Sequence, residues 1–187
     1  WKVEVRAGDP VTADQTLGGP PLPFWQGRDS FDFSPVDRLL AQTLAANPGA
    51  YLVPVVSLAA PEWWKAQHPR ELLVFGDGRT LLPATVTSGP RSEASWAGRT
   101  WRQDSETMLR RLVEHLEQGP LGPAILGYQL AAGEGGHWAY LGAGRGFMSD
   151  YSGPQQEAFR EWLKRKYRDL KGLRVAWGQP AEPLATP

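Results

Sequence analysis

The 187-residue sequence contains no cysteine, which excludes disulfide bonds, thiol nucleophiles and zinc bound by thiolates. It also lacks an apolar run of the ~18 residues that a membrane-spanning helix needs. The first residues, Trp1 to Asp9, have no apolar core of a signal peptide. No charge is in excess either, because 20 basic and 20 acidic residues balance. Nucleic-acid binding needs a clustered basic surface and is therefore not indicated.

Tryptophan, glycine and proline are instead abundant, with 9, 21 and 17 residues. Glycine and proline at this level indicate many shaped loops. A tryptophan in such a loop is costly to expose unless it binds a flat, weakly apolar ligand, and the C–H face of a sugar ring is one such ligand. For any single tryptophan, packing in the core is the more common role.

Hydrophobic periodicity predicts three strands that alternate with three helices. The run from Tyr51 to Leu58 favours a strand buried on both faces, although Pro54 removes one donor from its ladder. Ser34 is expected to cap the first helix, ahead of Pro35 in its first turn. The strands are expected at 3–6, 51–58 and 124–130, and the helices at 34–46, 104–118 and 154–170. The inner side of the last helix is expected to carry Phe159, Trp162, Leu163 and Tyr167.

The connections between these elements are strongly asymmetric. The helix-to-strand links at 47–50 and 119–123 are short, whereas the strand-to-helix links at 7–33, 59–100 and 131–152 are long. In (β/α)8 barrels the long connections follow the strands and build the active site. The sequence therefore predicts an α/β fold, part of a (β/α)8 TIM barrel with about three β/α units and long βα loops. A doubly wound open sheet is the alternative, but no glycine-rich nucleotide motif supports it.

The length of the sequence limits this prediction. A full barrel needs roughly 250 residues, so 187 residues are expected to form only part of one. We expect a partial barrel domain over 1–178 and a proline-rich tail or linker over 179–187. The remainder of the barrel would come from a further segment or a partner chain. Cytoplasmic and secreted locations both stay open.

Glu134 is the strongest candidate for chemistry. It lies just past the third predicted strand in the turn Gly133-Glu134-Gly135-Gly136, where a substrate can approach the backbone closely. Hydrolysis of a glycosidic bond needs one carboxyl group to protonate the leaving oxygen and a second to attack or to activate water. A partly desolvated carboxyl group at a strand end has the raised pKa that the proton donor needs. The alternative is a solvent-exposed glutamate in a flexible turn.

Further candidates lie in the same long connections. His137 is expected to orient Glu134 or to contact a sugar hydroxyl, with a rim position as the alternative. One ring of Trp63-Trp64 is expected to form a sugar platform while the other packs beneath the loop. Asp150 is expected to cap its loop or to reach a sugar hydroxyl. The full set of candidate substrate-binding residues is Trp63, Trp64, Glu62, His137, Trp138, Asp150 and Trp25.

Other chemistries find no motif in the sequence. No G-x-S-x-G elbow for acyl transfer is present. His68, His115 and His137 are too far apart in sequence to suggest a histidine metal site. We therefore expect no metal and no cofactor.

Several segments resemble the β-galactosidase-like barrel hydrolases of glycoside hydrolase family 42 and its relatives. Each motif is weakly specific, but their order and spacing over residues 30–178 make the combination more specific. The matching segments are Asp32 to Leu40, Ala60-Pro61-Glu62-Trp63-Trp64 with His68-Pro69, Gly127-Tyr128-Gln129-Leu130, Tyr151-Ser152, Gln156 to Leu163, Lys166-Tyr167 and Ala176-Trp177-Gly178.

This resemblance implies a retaining mechanism with two glutamates, an acid/base after the fourth barrel strand and a nucleophile after the seventh. Glu134 matches the acid/base, and the chain ends before the nucleophile. The family glutamate usually follows an asparagine that holds a sugar hydroxyl, whereas Gly133 stands there in this sequence. This departure leaves the substrate and the activity open.

Three hypotheses follow. The first is a segment of the catalytic barrel of a glycoside hydrolase acting on β-linked, galactoside-type sugars. The second is a barrel-derived module that binds carbohydrate without cleaving it, motivated by Gly133 and the missing nucleophile. The third is a structural segment with the tail as a linker. The first predicts that the complete protein cleaves the sugar, the second that it binds the sugar without cleaving it, and the third that it does not bind the sugar.

Overall fold

The computed structural model describes residues 24–82, 91–133 and 138–178, together with the backbone of residues 2–6. Within them, helices separate the three strands of the main sheet along the chain, and a short two-stranded ribbon precedes the first helix. The strands are β1 (Lys2–Arg6), β2 (Trp25–Gly27), β3 (Ser30–Phe31), β4 (Val53–Ser57) and β5 (Gln129–Ala131). The helices are α1 (Ser34–Ala46), α2 (Glu62–Gln67), α3 (Arg99–Gln118), α4 (Gly153–Tyr167) and α5 (Leu170–Trp177).

The main sheet has three parallel strands in the order β1-β4-β5. Parallel neighbours need a crossover connection, and α1 and α3 supply the helices of the two crossovers. The predicted α/β fold is confirmed, and all three predicted strands form. The described strands make an open sheet and no closed barrel.

Pro54 shapes the central strand. Leu52 bridges Ile125, but Val55 pairs with Gln129, so the partner segment has one extra residue opposite Pro54. Because proline has no N–H to donate, the ladder shifts register there, and β5 begins only at Gln129 instead of Ala124. The expectation of burial on both faces was also wrong, since β4 alternates between buried and partly buried side chains.

The ends of α1 are set by its neighbours in sequence. The expected cap by Ser34 was wrong: Asp32 lies just outside the helix and accepts a hydrogen bond from the Ser34 amide at 3.0 Å. Hydrogen bonds from the Ser34 hydroxyl and from its amide, together with the Arg38 charge, hold the pKa of Asp32 below its ordinary value. The helix ends at Asn47, ahead of Pro48-Gly49 as predicted.

Helix α3 begins at Arg99, five residues before the predicted start at Asp104. The Glu71 carboxylate accepts hydrogen bonds from the Thr100 amide at 3.2 Å, the Trp101 amide at 3.1 Å and the Thr100 hydroxyl. An acceptor of opposite charge at a helix N-terminus satisfies amides that have no partner within the helix. The additional turn therefore depends on a carboxylate that lies far away in sequence.

The first two long segments contain regular structure that was not predicted. Residues 24–31 form an antiparallel ribbon of β2 and β3, and residues 62–67 form α2. Residues 7–23 and 83–90 lie outside the described residues. The described parts of both segments are thus folded against the core.

The hydrophobic core lies between the sheet, α1 and α3 and continues over α2 and the β2–β3 ribbon. A smaller cluster of Leu73, Phe75, Leu82 and Leu141 joins the second and third connections. The main cluster consists of Phe24, Trp25, Val36, Leu40, Leu52, Val56, Ala60, Trp64, Ala94, Trp101, Met108, Leu112 and Leu116.

The last predicted helix is two helices. Arg168 adopts a positive φ of 62° and ends α4, and the Asp169 carboxylate accepts a bond from the Gly172 amide at 2.7 Å to start α5. The expected inner side of the helix was right for Leu163, which is buried, and Tyr167 is partly buried. It was wrong for Phe159 and Trp162, which are exposed.

Candidate functional site

The candidate site lies where β4 and β5 end side by side. The Leu58 amide donates to the Ala131 carbonyl at 2.7 Å, so the segments that follow these two strands start next to each other. The carboxyl ends of parallel strands meet at one edge of a sheet. The candidate residues after Leu58 and after Ala131 therefore share this edge.

Trp25 and Trp64 are core residues of this edge. The Trp64 side chain is fully buried and its indole N–H donates to the Asp104 carboxylate at 2.8 Å. Trp25 is also buried and packs between Trp101 and Trp63, at centroid distances of 6.1 and 5.1 Å. Neither ring has an exposed face for a ligand. The buried Trp25 indole N–H has no hydrogen-bond partner among the described residues.

Trp63 and Glu62 lie further out on α2. The Trp63 ring is partly buried, and its N–H donates to the Trp25 carbonyl at 3.0 Å. The Glu62 carboxylate is exposed and pairs with Lys65, whose ammonium also donates to the Ser92 carbonyl at 3.2 Å. Glu62 is therefore accessible, whereas Trp63 mainly anchors α2 to the ribbon.

A second aromatic cluster, named here the aromatic shelf, consists of Trp96, Trp138 and Tyr140. The Trp96 and Tyr140 rings stack at 4.5 Å, and the Trp138 ring meets Trp96 edge-on at 5.9 Å. Trp96 and Tyr140 are partly buried, whereas Trp138 is 55% exposed. The Trp138 N–H donates to the Leu130 carbonyl in β5 at 3.2 Å. The shelf is thus attached to the end of β5.

Gly133 and Ala139 form the base of the acidic turn. They form an isolated bridge, and the Trp138 amide donates to the Ala132 carbonyl at 2.9 Å. Gly133 has φ of +71°, and a side chain on it would overlap the Ala139 carbonyl and approach Trp96 to 3.1 Å. Only glycine fits this position without rearrangement. Glu134 and His137, which follow Gly133 in the sequence, lie outside the described residues.

Asp150 caps its own loop. One carboxylate oxygen accepts from the Ser152 amide at 2.8 Å and from the Val74 amide at 3.2 Å. The other oxygen is buried and has no hydrogen-bond partner in the described part of the chain. Burial and the Asp150 charge raise the pKa of Tyr140, so its hydroxyl stays protonated. Asp150 therefore lies behind the aromatic shelf.

A largely buried charged group lies beside the same strand end. Arg91 and Glu93 pair at 3.3 Å, and Lys65 lies close enough for its charge to act on Glu93. Burial raises the pKa of Glu93, against the opposing effect of the two cations and of the Ala60 backbone. The group links the α2 segment to the start of the α3 segment.

Two further properties follow from the side chains and helices that the structure describes. No three His, Asp or Glu residues in this part of the chain lie together as a metal site would require. None of its helices has the length and apolarity that a membrane crossing demands.

Comparison with known proteins shows the family to which the chain belongs. Residues 27–181 match the model of glycoside hydrolase family 42, described as β-galactosidase, and the chain belongs to that family. The chain is 30% identical over 129 residues to the β-galactosidase BglY of Alicyclobacillus acidocaldarius, which covers 69% of this chain and 16% of BglY. It is 29% identical over 143 residues to BgaA of a Thermus species, covering 76% of the chain and 20% of BgaA. The chain thus spans about a fifth of these relatives.

Solved structures show the same fold. The crystal structure of a β-galactosidase from the psychrophilic Marinomonas ef1 superposes with a TM-score of 0.59 and 20% identity, covering 94% of this chain and 23% of that one. A β-galactosidase from Bacillus circulans sp. alkalophilus gives 0.58 and 19%, covering 95% and 21%. At these identities the likeness is one of fold.

Sequence reasoning missed two members of the aromatic shelf, Trp96 and Tyr140. Trp96 lies in the second long connection and Tyr140 in the third, so no local pattern joins them. The usable signal was the presence of a tryptophan in each strand-to-helix connection, since such connections meet at one edge of a parallel sheet.

Proposed function

We propose that the chain is a segment of the catalytic (β/α)8 barrel of a glycoside hydrolase that cleaves β-linked galactosides, with Glu134 as its general acid/base. One observation carries this proposal. Gly133, the residue before Glu134 in the sequence, lies two residues past β5, at the sheet edge that β4 shares and against Trp96 of the aromatic shelf.

The barrel assignment is supported by the connections. Three parallel strands are joined by helical crossovers, and the segments after β4 and β5 are long while the returns to the strands are short. This is the pattern of about three β/α units with the site at the carboxyl ends of the strands. The remaining strands would be supplied by the rest of the barrel, which is the partner that this chain requires.

Glu134 acts twice in the proposed retaining mechanism. In its protonated form it gives its proton to the glycosidic oxygen as the bond to the anomeric carbon breaks, while a second carboxylate attacks that carbon. As a carboxylate it then takes a proton from water, whose oxygen displaces the enzyme from the anomeric carbon. The second carboxylate belongs to the rest of the barrel.

The remaining candidates divide according to exposure. Trp138 offers an exposed ring and Glu62 an exposed carboxylate, so we propose these two as sugar contacts. Asp150, whose second oxygen is buried, is proposed to cap its loop. His137 is retained as a group that orients Glu134. Trp63 borders the site, and Trp25 and Trp64 support it from the core.

The test is the substitution Glu134→Gln in the complete protein. We expect hydrolysis of alkyl galactosides to fall by about 10²–10⁴-fold, because the amide cannot donate a proton. An aryl galactoside whose leaving group needs no proton should keep a fast first step. Glu106→Gln, an exposed change on α3, is the control and should keep full activity. Unchanged hydrolysis by Glu134→Gln would remove Glu134 from the mechanism.

Sugar binding without cleavage is the second candidate function. It is favoured by Gly133, since the backbone there leaves no room for the side chain that holds a sugar hydroxyl in the family that the sequence resembles. Under this alternative the complete protein binds galactosides but releases no product on long incubation. Product formation that is lost in Glu134→Gln would favour the hydrolase over binding without cleavage.

A further inference from the structure

We infer that Trp138, held in place by Trp96 and Tyr140, selects galacto-configured rings over gluco-configured ones. This inference deepens the proposed function, since it assigns sugar selection within the same site. It rests on three observations: the exposure of Trp138, its constrained backbone and its contact with Trp96, whose indole also lies against Gly133.

The Trp138 ring is exposed but held in a defined position. Its φ of +57° lies in the left-handed region, which is unfavourable for a bulky side chain. Its N–H is bonded to Leu130 and its amide to Ala132. A residue kept in a costly conformation with a large apolar face towards solvent points to a ligand contact.

Trp96 connects this ring to the acidic turn. One part of the Trp96 indole meets Trp138 edge-on, and its face stacks on Tyr140. Another edge of the same indole lies against Gly133, where a side chain would approach it to 3.1 Å. Trp96 therefore lies between the Trp138 ring and Gly133, the residue that precedes Glu134 in the sequence. In this scheme Trp96 and Tyr140 are positioning residues, and Trp138 touches the sugar.

The chemistry of the ring explains the selection. In a galactopyranose the axial 4-hydroxyl leaves the C–H groups at positions 3, 4 and 5 together on one face of the ring. In a glucopyranose that hydroxyl is equatorial and the C–H groups alternate between faces. A flat, fixed indole gains contact with a continuous apolar face and loses it with an alternating one. Trp138 therefore favours the galacto ring.

The test measures binding separately from cleavage. The complete protein carrying Glu134→Gln is titrated calorimetrically with methyl β-D-galactopyranoside and with methyl β-D-glucopyranoside. Trp138→Ala should weaken galactoside binding about tenfold, which is the scale of one aromatic contact. It should also abolish the preference for the galactoside over the glucoside. Trp138→Phe should keep the preference. Trp96→Leu should reduce the preference and raise KM more than it lowers kcat in the otherwise native protein.

Trp162→Ala is the matched control, because Trp162 is an exposed tryptophan on α4 that packs on Phe159, Tyr167 and Lys166 and contacts no residue of the shelf. It should leave the preference unchanged. An unaltered preference in Trp138→Ala, equal weakening for both sugars, or no binding of either sugar would each overturn the inference. If the galactoside preference depends on Trp138 but the complete protein without substitutions hydrolyses no galactoside, the inference is supported and the proposed function is refuted.

Discussion

At the residue scale, the charged group around Glu93 determines how the fold responds to pH. The Glu93 carboxyl is largely buried, and burial raises its pKa more than Arg91 and Lys65 lower it. An acid whose pKa is higher in the folded chain than in the unfolded chain stabilises the fold at low pH. That contribution is lost as the pH rises through the folded pKa.

The substitution Glu93→Gln should therefore have a pH-dependent effect. The amide cannot ionise, so the melting temperature of the variant relative to the parent should improve as the pH rises from about 4 to about 7. Thermal melts over this window measure the difference. Glu106→Gln, whose carboxyl is exposed, should show no such trend. A difference that stays constant with pH, or that worsens for Glu93→Gln, contradicts the assigned pKa direction.

At the element scale, helix α3 shows how a distant side chain extends a helix. Its apolar stripe and its end at Gly119-Pro120 were predicted, but its first turn contains no acidic residue and no capping side chain of its own. Glu71 supplies that cap from the end of a short 3₁₀ turn at Pro69–Glu71. The start of the helix is therefore a tertiary contact.

Removal of that contact should be measurable in stability. We expect Glu71→Ala to lower the free energy of unfolding by about 1–2 kcal/mol, the cost of losing a helix cap. Glu106→Ala breaks an exposed i,i+4 pair with Arg110 and should cost only about 0.3–0.5 kcal/mol. Urea denaturation of both variants gives the comparison. Equal losses would show that Glu71 does not stabilise α3.

At the scale of the whole molecule, the last two helices leave large apolar side chains uncovered. Leu170, Val175 and Trp177 of α5 are exposed, with Val175 at 77%, and so are Phe159 and Trp162 of α4. The outer strands β1 and β5 each have one neighbour among the described strands. Apolar faces and open strand edges of this extent favour association. In the proposed barrel the remaining segments would cover them.

The 187-residue chain on its own should consequently self-associate. Sedimentation velocity should show larger species as the concentration rises, and the double change Leu170→Lys with Val175→Lys should shift the distribution towards the monomer. Thr107→Lys, an exposed change on α3, serves as the control and should leave the size distribution unchanged. A monomer at every concentration would show that this face needs no covering partner.

The sequence by itself determined the order of the three main-sheet strands and of α1, α3 and α4, the ends of α1 and α3 at Asn47 and Gly119, and the parallel strand that precedes the Gly133-Glu134 segment. These features follow from periodicity and from proline and glycine signals, which act over a few residues. The motifs that resemble glycoside hydrolase family 42 could also be recognised from the sequence, because each is a short run of adjacent residues.

Only the tertiary structure decided which tryptophans form the core and which ones are exposed. The Trp63 N–H reaches the carbonyl of Trp25, 38 residues away, and the Val74 amide reaches Asp150 across 76 residues. Trp25, Trp64 and Trp138 look alike in sequence, yet the first two are buried and the third is exposed. Burial depends on the segments that fold together, and no local pattern carries that information.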